Sequence, residues 1–159
     1  MKTINKFIFI TILVVILPIF VKSQTNEVFE LKPKFSNDTT LNTFITYWLR
    51  KPYKLGGNTE RGIDCSQFNK RLAADVYKIN IENTCATQWE TTSRIKKDSL
   101  QVGDLIFFKS KVSPSRWHCG TYIGETMFVH ASNKYEGVKI SSLNEPNYKK
   151  AYRGAGRIK

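Results

Sequence analysis

The sequence predicts an α+β domain in which N-terminal helices pack on an antiparallel β-sheet. Two observations predict it. Apolar residues in the first half recur at helical spacing, and from Leu100 onward they fall in short β-rich runs separated by Gly, Pro and charged turns. The 159 residues suit one domain, and 41% hydrophobic with 13% aromatic residues supply a core.

The first helix follows Ser36 or Asp38, either of which can cap it. Leu41, Phe44, Ile45, Trp48 and Leu49 line one apolar face, and Pro52 stops the helix. PYKLGGNTERGI reads as a loop. A second helix starts near Asp64-Cys65, with Phe68, Leu72, Val76 and Ile79 on its buried side. Residues 83–99 read as polar and irregular, with a short helical turn around Trp89. LQVGDLIFFKS, HCGTYIG, MFVHAS and VKISSL read as strands, and a last strand falls in AYRGAGRIK.

The N-terminus predicts export. Lys2 and Lys6 precede an apolar run of 14 residues from Ile8 to Val21, and Val21 and Ser23 have signal-peptidase spacing. The run is short for a membrane span. The expected organisation is a signal peptide over 1–23, a flexible lead-in over 24–37 and a folded domain over 38–159. The protein is expected to be periplasmic or secreted, monomeric, and free of a stable membrane anchor after cleavage. The formal net charge is +12. Its dispersal along the chain argues against a nucleic-acid groove and suits adhesion to an acidic polymer.

Three cysteines and two histidines are the chemistry-bearing residues. They show no metal-ligand spacing, and no metal or organic cofactor is expected. Cys65 sits where a glycine-rich loop becomes a helix. Unpaired N–H groups and the positive end of the helix dipole favour a thiolate there and could hold an oxyanion. A buried structural cysteine opening an apolar helix face is the competing reading. His118 and His130 fall on two strands joined by a tight turn around 124–126, with parity that puts both on one face. One can then act as base for a thiol and the other can orient it. Parity points Cys119 away from the His118 face, toward core or a disulfide. Cys85 and Cys119 are free to pair, and spacing leaves that open.

PYKLGGNTERGIDCSQF, VGDLIFF, HCGTYIG and FVHAS, taken in that order, resemble the signatures of the NlpC-type family of papain-like cell-wall peptidases. The resemblance runs from about Leu41 to Ile158, and the tail is similar to Spr-like murein DD-endopeptidases. It implies a small papain-like cysteine peptidase domain. It makes Cys65 the nucleophile, His118 the general base and His130 the orienting residue. Tyr53, Asp64, Ser66 and Gln67 are carried over as substrate or oxyanion support, and Gly56 and Gly57 as the glycines before the nucleophile. Gln67 departs from the glycine usual in the family and could recontour the cleft. The implied partner is a peptidoglycan stem peptide, cut through a thioester at the D-alanyl–diaminopimelyl cross-link. The γ-D-glutamyl–diaminopimelate bond and amidase chemistry are the alternatives. A non-catalytic envelope-binding module would keep the fold, and is favoured if Cys65 lies buried or far from His118.

Overall fold

Asp38 fixes where the first helix begins. Its carboxylate accepts hydrogen bonds from the N–H groups of Thr40 and Leu41, at 2.8 and 3.1 Å, and α1 runs Thr39–Trp48. The computed structural model describes residues 38–159. The expected signal peptide and lead-in lie outside the described residues.

The chain continues through a two-stranded ladder, β1 (Asn58–Thr59) and β2 (Gly62–Ile63), into α2 (Cys65–Tyr77) and α3 (Cys85–Thr91). Next come β3 (Ser93–Ile95), a 3-10 turn (Lys97–Ser99), β4 (Leu105–Lys109), β5 (Trp117–Gly124), β6 (Met127–Ala131) and β7 (Val138–Ser142). A short α4 (Pro146–Ala151) leads into β8 (Tyr152–Arg157). The described residues form a six-stranded antiparallel sheet in the order β3-β8-β4-β5-β6-β7. The α+β architecture is the expected one.

Both faces of the sheet are covered, which is why LIFF in β4 is buried at every position. On one face, Leu41, Ile45 and Trp48 of α1 and Phe68 and Leu72 of α2 pack on Ile123, Val129 and Val138. Beside them Cys65, Cys85, Leu105, Phe107 and Cys119 form a second cluster. On the other face Ile106, Phe108, Phe128 and Leu143 pack with Tyr148 of α4. The last strand is tied in by Arg157, which grips the buried Asp104 carboxylate with two hydrogen bonds of 2.8 and 2.9 Å.

Three segments differ from the sequence reading, the first being the PYKLGGNTERGI loop, part of which pairs as β1 and β2. Residues 83–99 are ordered into α3, β3 and a 3-10 turn. Thr84 and Thr87 form a reciprocal capping box that starts α3, with threonine where Glu or Gln is the recognised signal. The helix α4 has only 6 residues. It begins with Pro at its first turn and is held by Tyr148 against Phe108 and Phe128, at ring-centroid distances of 5.3 and 4.9 Å. That is tertiary stabilisation, which helical periodicity over so short a stretch does not reveal.

Candidate active site

The nucleophile candidate is built from its helix start. Asp64 caps α2 by accepting the Gln67 N–H at 2.8 Å, and it also accepts the Ser66 hydroxyl at 2.8 Å and the Gly56 N–H at 2.9 Å. One carboxylate thus ties the glycine loop to the helix. The Gly57 carbonyl accepts the Asp64 N–H at 3.0 Å, and a Cβ at Gly57 would run into the Gly62 carbonyl. Glycine is needed there for close approach. Cys65 is the first residue of α2 and is 8% exposed.

The Cys65 thiol is pushed up to about 11 by burial, with the nearby Asp64 charge adding to the rise. The backbone N–H groups of Cys119, Ser66 and Cys65 itself favour the thiolate. The helix-start effect expected from the sequence is therefore present, but burial outweighs it in the unliganded protein. The Cys119 contact also sets the sulfur against the backbone one residue after His118.

His118 and His130 come together as the hairpin argument required. The Nε2 of His118 lies 2.8 Å from the Nδ1 of His130, with the rings nearly perpendicular. The strand pairing explains it. Glu125 and Thr126, both with positive φ, form the turn, and Gly124 pairs with Met127. Continued unbroken, that register would set His130 opposite Thr121, on the wrong face. A one-residue bulge at Ile123 shifts it so that Thr121 pairs with Val129. Gly120 then lies opposite His130, and His118 lies diagonal to it. A Cβ on Gly120 would stand 3.0 Å from the His130 Cβ and 2.8 Å from the Val129 carbonyl oxygen, so the histidine pair depends on glycine there.

His130 is fully buried. Its Nε2 meets the Ser141 hydroxyl at 3.2 Å and the Tyr148 hydroxyl at 3.3 Å. Burial lowers its pKa well below the usual range, with His118 and Lys139 adding to the effect. Burial pushes His118 down to about 4. Both rings are neutral at pH 7. The pair is better satisfied when His118 donates Nε2–H to His130 Nδ1 and His130 donates its own Nε2–H to Ser141 or Tyr148, because the reverse tautomer would leave a His118 Nδ1–H with no acceptor among the described residues. The favoured tautomer leaves the Nδ1 lone pair of His118 without a hydrogen bond among the described residues, while the Cys65 sulfur packs against Cys85 and Cys119. Neutral thiol and neutral imidazole are the resting forms, in place of an ion pair.

Tyr53 stands beside Cys65 and Asp64. Burial, then the charges of those two groups, pushes its phenol up to about 12, so it remains a hydrogen-bond donor. Ser66 is buried, with its hydroxyl given to Asp64. Gln67 donates from Nε2 to the Asn83 carbonyl at 3.0 Å. Asp64, Ser66 and Gln67 accordingly shape the helix start. Sequence reasoning missed four supports: Ser141 and Tyr148 behind His130, Asn69 on the buried side of α2 and Gln88 packed against it from α3. Gln88 is fully buried and donates to the carbonyls of Ser66 and Glu82, both at 2.9 Å. Asn69 lies between it and Thr121, at 3.4 and 3.1 Å. Only a capping box not written in the usual residues could have flagged the helix that carries Gln88. Cys85 and Cys119 form a disulfide, which resolves the pairing the sequence left open.

The NlpC/P60 family profile matches residues 50–157. The chain belongs to the NlpC/P60 family. With the Cys/His constellation described above, that membership makes it a papain-like cysteine hydrolase. NlpC/P60 relatives include a probable endopeptidase of Haemophilus influenzae, 38% identical over 111 residues, covering 70% of this chain and 68% of that protein. The murein DD-endopeptidase MepS/murein LD-carboxypeptidase of Escherichia coli strain K12 is 40% identical over 70% of this chain and 57% of its own length. An NlpC/P60 family crystal structure from Bacillus cereus superposes with a TM-score of 0.68 at 30% identity, over 77% of this chain and 40% of that one. The chain thus spans between about two-fifths and two-thirds of these relatives' lengths.

The neutral histidine pair gives the NlpC/P60 domain an acid-labile fold. Both folded pKa values lie below the usual 6.5. Between 6.5 and about 4 the unfolded chain therefore binds more protons than the folded one, and stability falls as the pH falls. The midpoint of urea denaturation should drop steadily from pH 7 to pH 4.5. A flat profile across that interval would contradict neutral burial of the pair.

Proposed function

We propose that the protein is an exported cysteine endopeptidase of the bacterial cell wall that hydrolyses the D-alanyl–diaminopimelyl cross-link of peptidoglycan. The observation that carries the reading is the His118–His130 hydrogen bond of 2.8 Å, one peptide from the backbone N–H that contacts the Cys65 sulfur. The peptidoglycan assignment is supported by the relatives, of which the Escherichia coli protein is a murein DD-endopeptidase. Export is supported by the apolar N-terminus and by the Cys85–Cys119 disulfide, which suits an oxidising compartment. Among the described residues, no helix is long and apolar enough to cross a membrane.

In the proposed reaction, His118 Nδ1 takes the Cys65 proton as the sulfur attacks the scissile carbonyl. His130 Nδ1 accepts the His118 Nε2–H throughout and steadies the imidazolium. Backbone N–H groups at the start of α2, with the Tyr53 hydroxyl, receive the oxyanion. His118 then protonates the leaving amine, and water, deprotonated by the same ring, hydrolyses the thioester.

The test is mass spectrometry of fragments released by the full chain from defined muropeptides. Cross-linked dimers should yield monomers that end in D-alanine, together with a free diaminopimelyl amine. Cleavage of uncross-linked stems between γ-D-glutamate and diaminopimelate would overturn the bond assignment. Intact substrates in both cases would overturn the activity.

A further inference from the structure

Cys65 Sγ lies 3.4 Å from Cys85 Sγ. Cys85 is bonded to Cys119, and the three sulfurs all lie within 4.8 Å of one another. Neither the proposed reaction nor the hydrogen bonds of the histidine pair involve Cys85. With Cys85 and Cys119 bonded to each other, the cluster offers a soft cation only one thiol, so metal binding is not its resting chemistry. What three adjacent sulfurs do permit is a choice of partner for the middle one.

We propose that Cys85 is a switchable partner, bonded either to Cys119, which leaves the nucleophile free, or to Cys65, which blocks it. This inference rests on the reading of Cys65 as the nucleophile. The conversion is thiol–disulfide exchange within one chain. The Cys65 thiol loses its proton and its sulfur bonds to Cys85 Sγ, the Cys85–Cys119 bond breaks, and the departing Cys119 thiolate takes up a proton. No electrons are gained or lost, and no outside oxidant is needed.

Two features support the exchanged form. The buried Gln88 Oε1 lies 3.7 Å from Cys119 Sγ. A disulfide sulfur has no hydrogen to give it, but the thiol that Cys119 regains does. All three sulfurs also belong to one packed cluster with Leu105 and Phe107, so changing partner requires no rearrangement of elements. Two other features hold the active form in place. Exchange requires in-line attack, and from the present 3.4 Å contact on an S–S bond of about 2.05 Å a straight row would set the outer sulfurs about 5.4 Å apart. Cys65 and Cys119 are closer than that, so the Cys65 side chain must swing outward before it attacks. Burial also keeps the thiol protonated at neutral pH. The exchange is therefore slow in the folded protein and faster in alkaline buffer.

Cys119→Ser removes the competing partner. Purified in buffer with glutathione disulfide as the oxidant, this variant should carry a Cys65–Cys85 linkage in non-reducing peptide maps. Its peptidoglycan hydrolysis should be at least about 20-fold below wild type and should recover on adding a phosphine reductant. The double variant with Cys85→Ser and Cys119→Ser should need no reductant. Should Cys119→Ser fail to fold, wild-type protein incubated at pH 9 and then acid-quenched supplies the same map, with Cys65–Cys85 peptides accumulating as activity falls. Maps in which Cys65 stays alkylatable in both experiments would overturn the switch. A mapped Cys65–Cys85 bond with undiminished hydrolysis would instead overturn Cys65 as the nucleophile and leave the linkage standing.

Discussion

Replacing Cys65 by alanine should abolish hydrolysis of purified sacculi, lowering kcat by at least about 10⁴-fold, and should leave the fold in place. The size of the effect follows from the chemistry. Nothing else near the reacting carbonyl can form the covalent intermediate, since Cys85 and Cys119 are bonded to each other and the Ser66 hydroxyl is committed to Asp64. Survival of the fold follows from the helix start, because the cap belongs to Asp64, whose contacts with Gln67 and Gly56 do not involve the sulfur. Alanine also has the highest intrinsic helix propensity, so the substitution does not oppose α2. The lost sulfur contacts should cost about 1 kcal/mol, visible as a small shift in a thermal melt. Activity measured on the same preparation separates the two effects. Residual hydrolysis within tenfold of wild type would remove Cys65 from the mechanism.

Much of this geometry was legible in the sequence because it is local. Asp38 and Asp64 are helix caps by residue type and position, and the apolar spacing of Leu41 to Trp48 and of Phe68 to Leu72 defines the buried helix faces. The histidine pair was legible through strand parity. The three-residue turn read around 124–126 has the parity of the two-residue turn plus bulge that the chain adopts. What stayed hidden depends on contacts distant in sequence. Ser141 and Tyr148 reach His130 from β7 and α4, and no short-range pattern marks them. Gln88 serves α2 from a helix whose threonine cap is an unusual signal. The resting protonation of Cys65 was hidden for a different reason. A helix N-terminus can be read from sequence, but the burial that opposes it is a property of the packed domain.

His130→Ala should lower kcat by about 10² to 10⁴-fold with little change in KM, because the residue touches His118 and not the substrate. In the wild type, His118 has its Nε2–H accepted 2.8 Å away, which fixes the ring so that Nδ1 carries the free lone pair. Truncation leaves that N–H unpaired in a largely buried site and lets the other tautomer compete, with Nδ1 protonated and unable to accept the thiol proton. The Ser141 and Tyr148 hydroxyls would lose their shared partner as well. His130→Asn provides the discriminating measurement. An asparagine carbonyl oxygen falls close to where the histidine Nδ1 stood and accepts from the same donor, the arrangement of the Cys-His-Asn triads. It should recover at least about tenfold of the kcat lost in the alanine variant, without needing the lost ring volume. If His130 only filled space, asparagine and alanine would be equally damaging and leucine would serve better than either. A kcat order of Asn above Ala and Leu, at similar KM, therefore identifies His130 as the residue that positions the base.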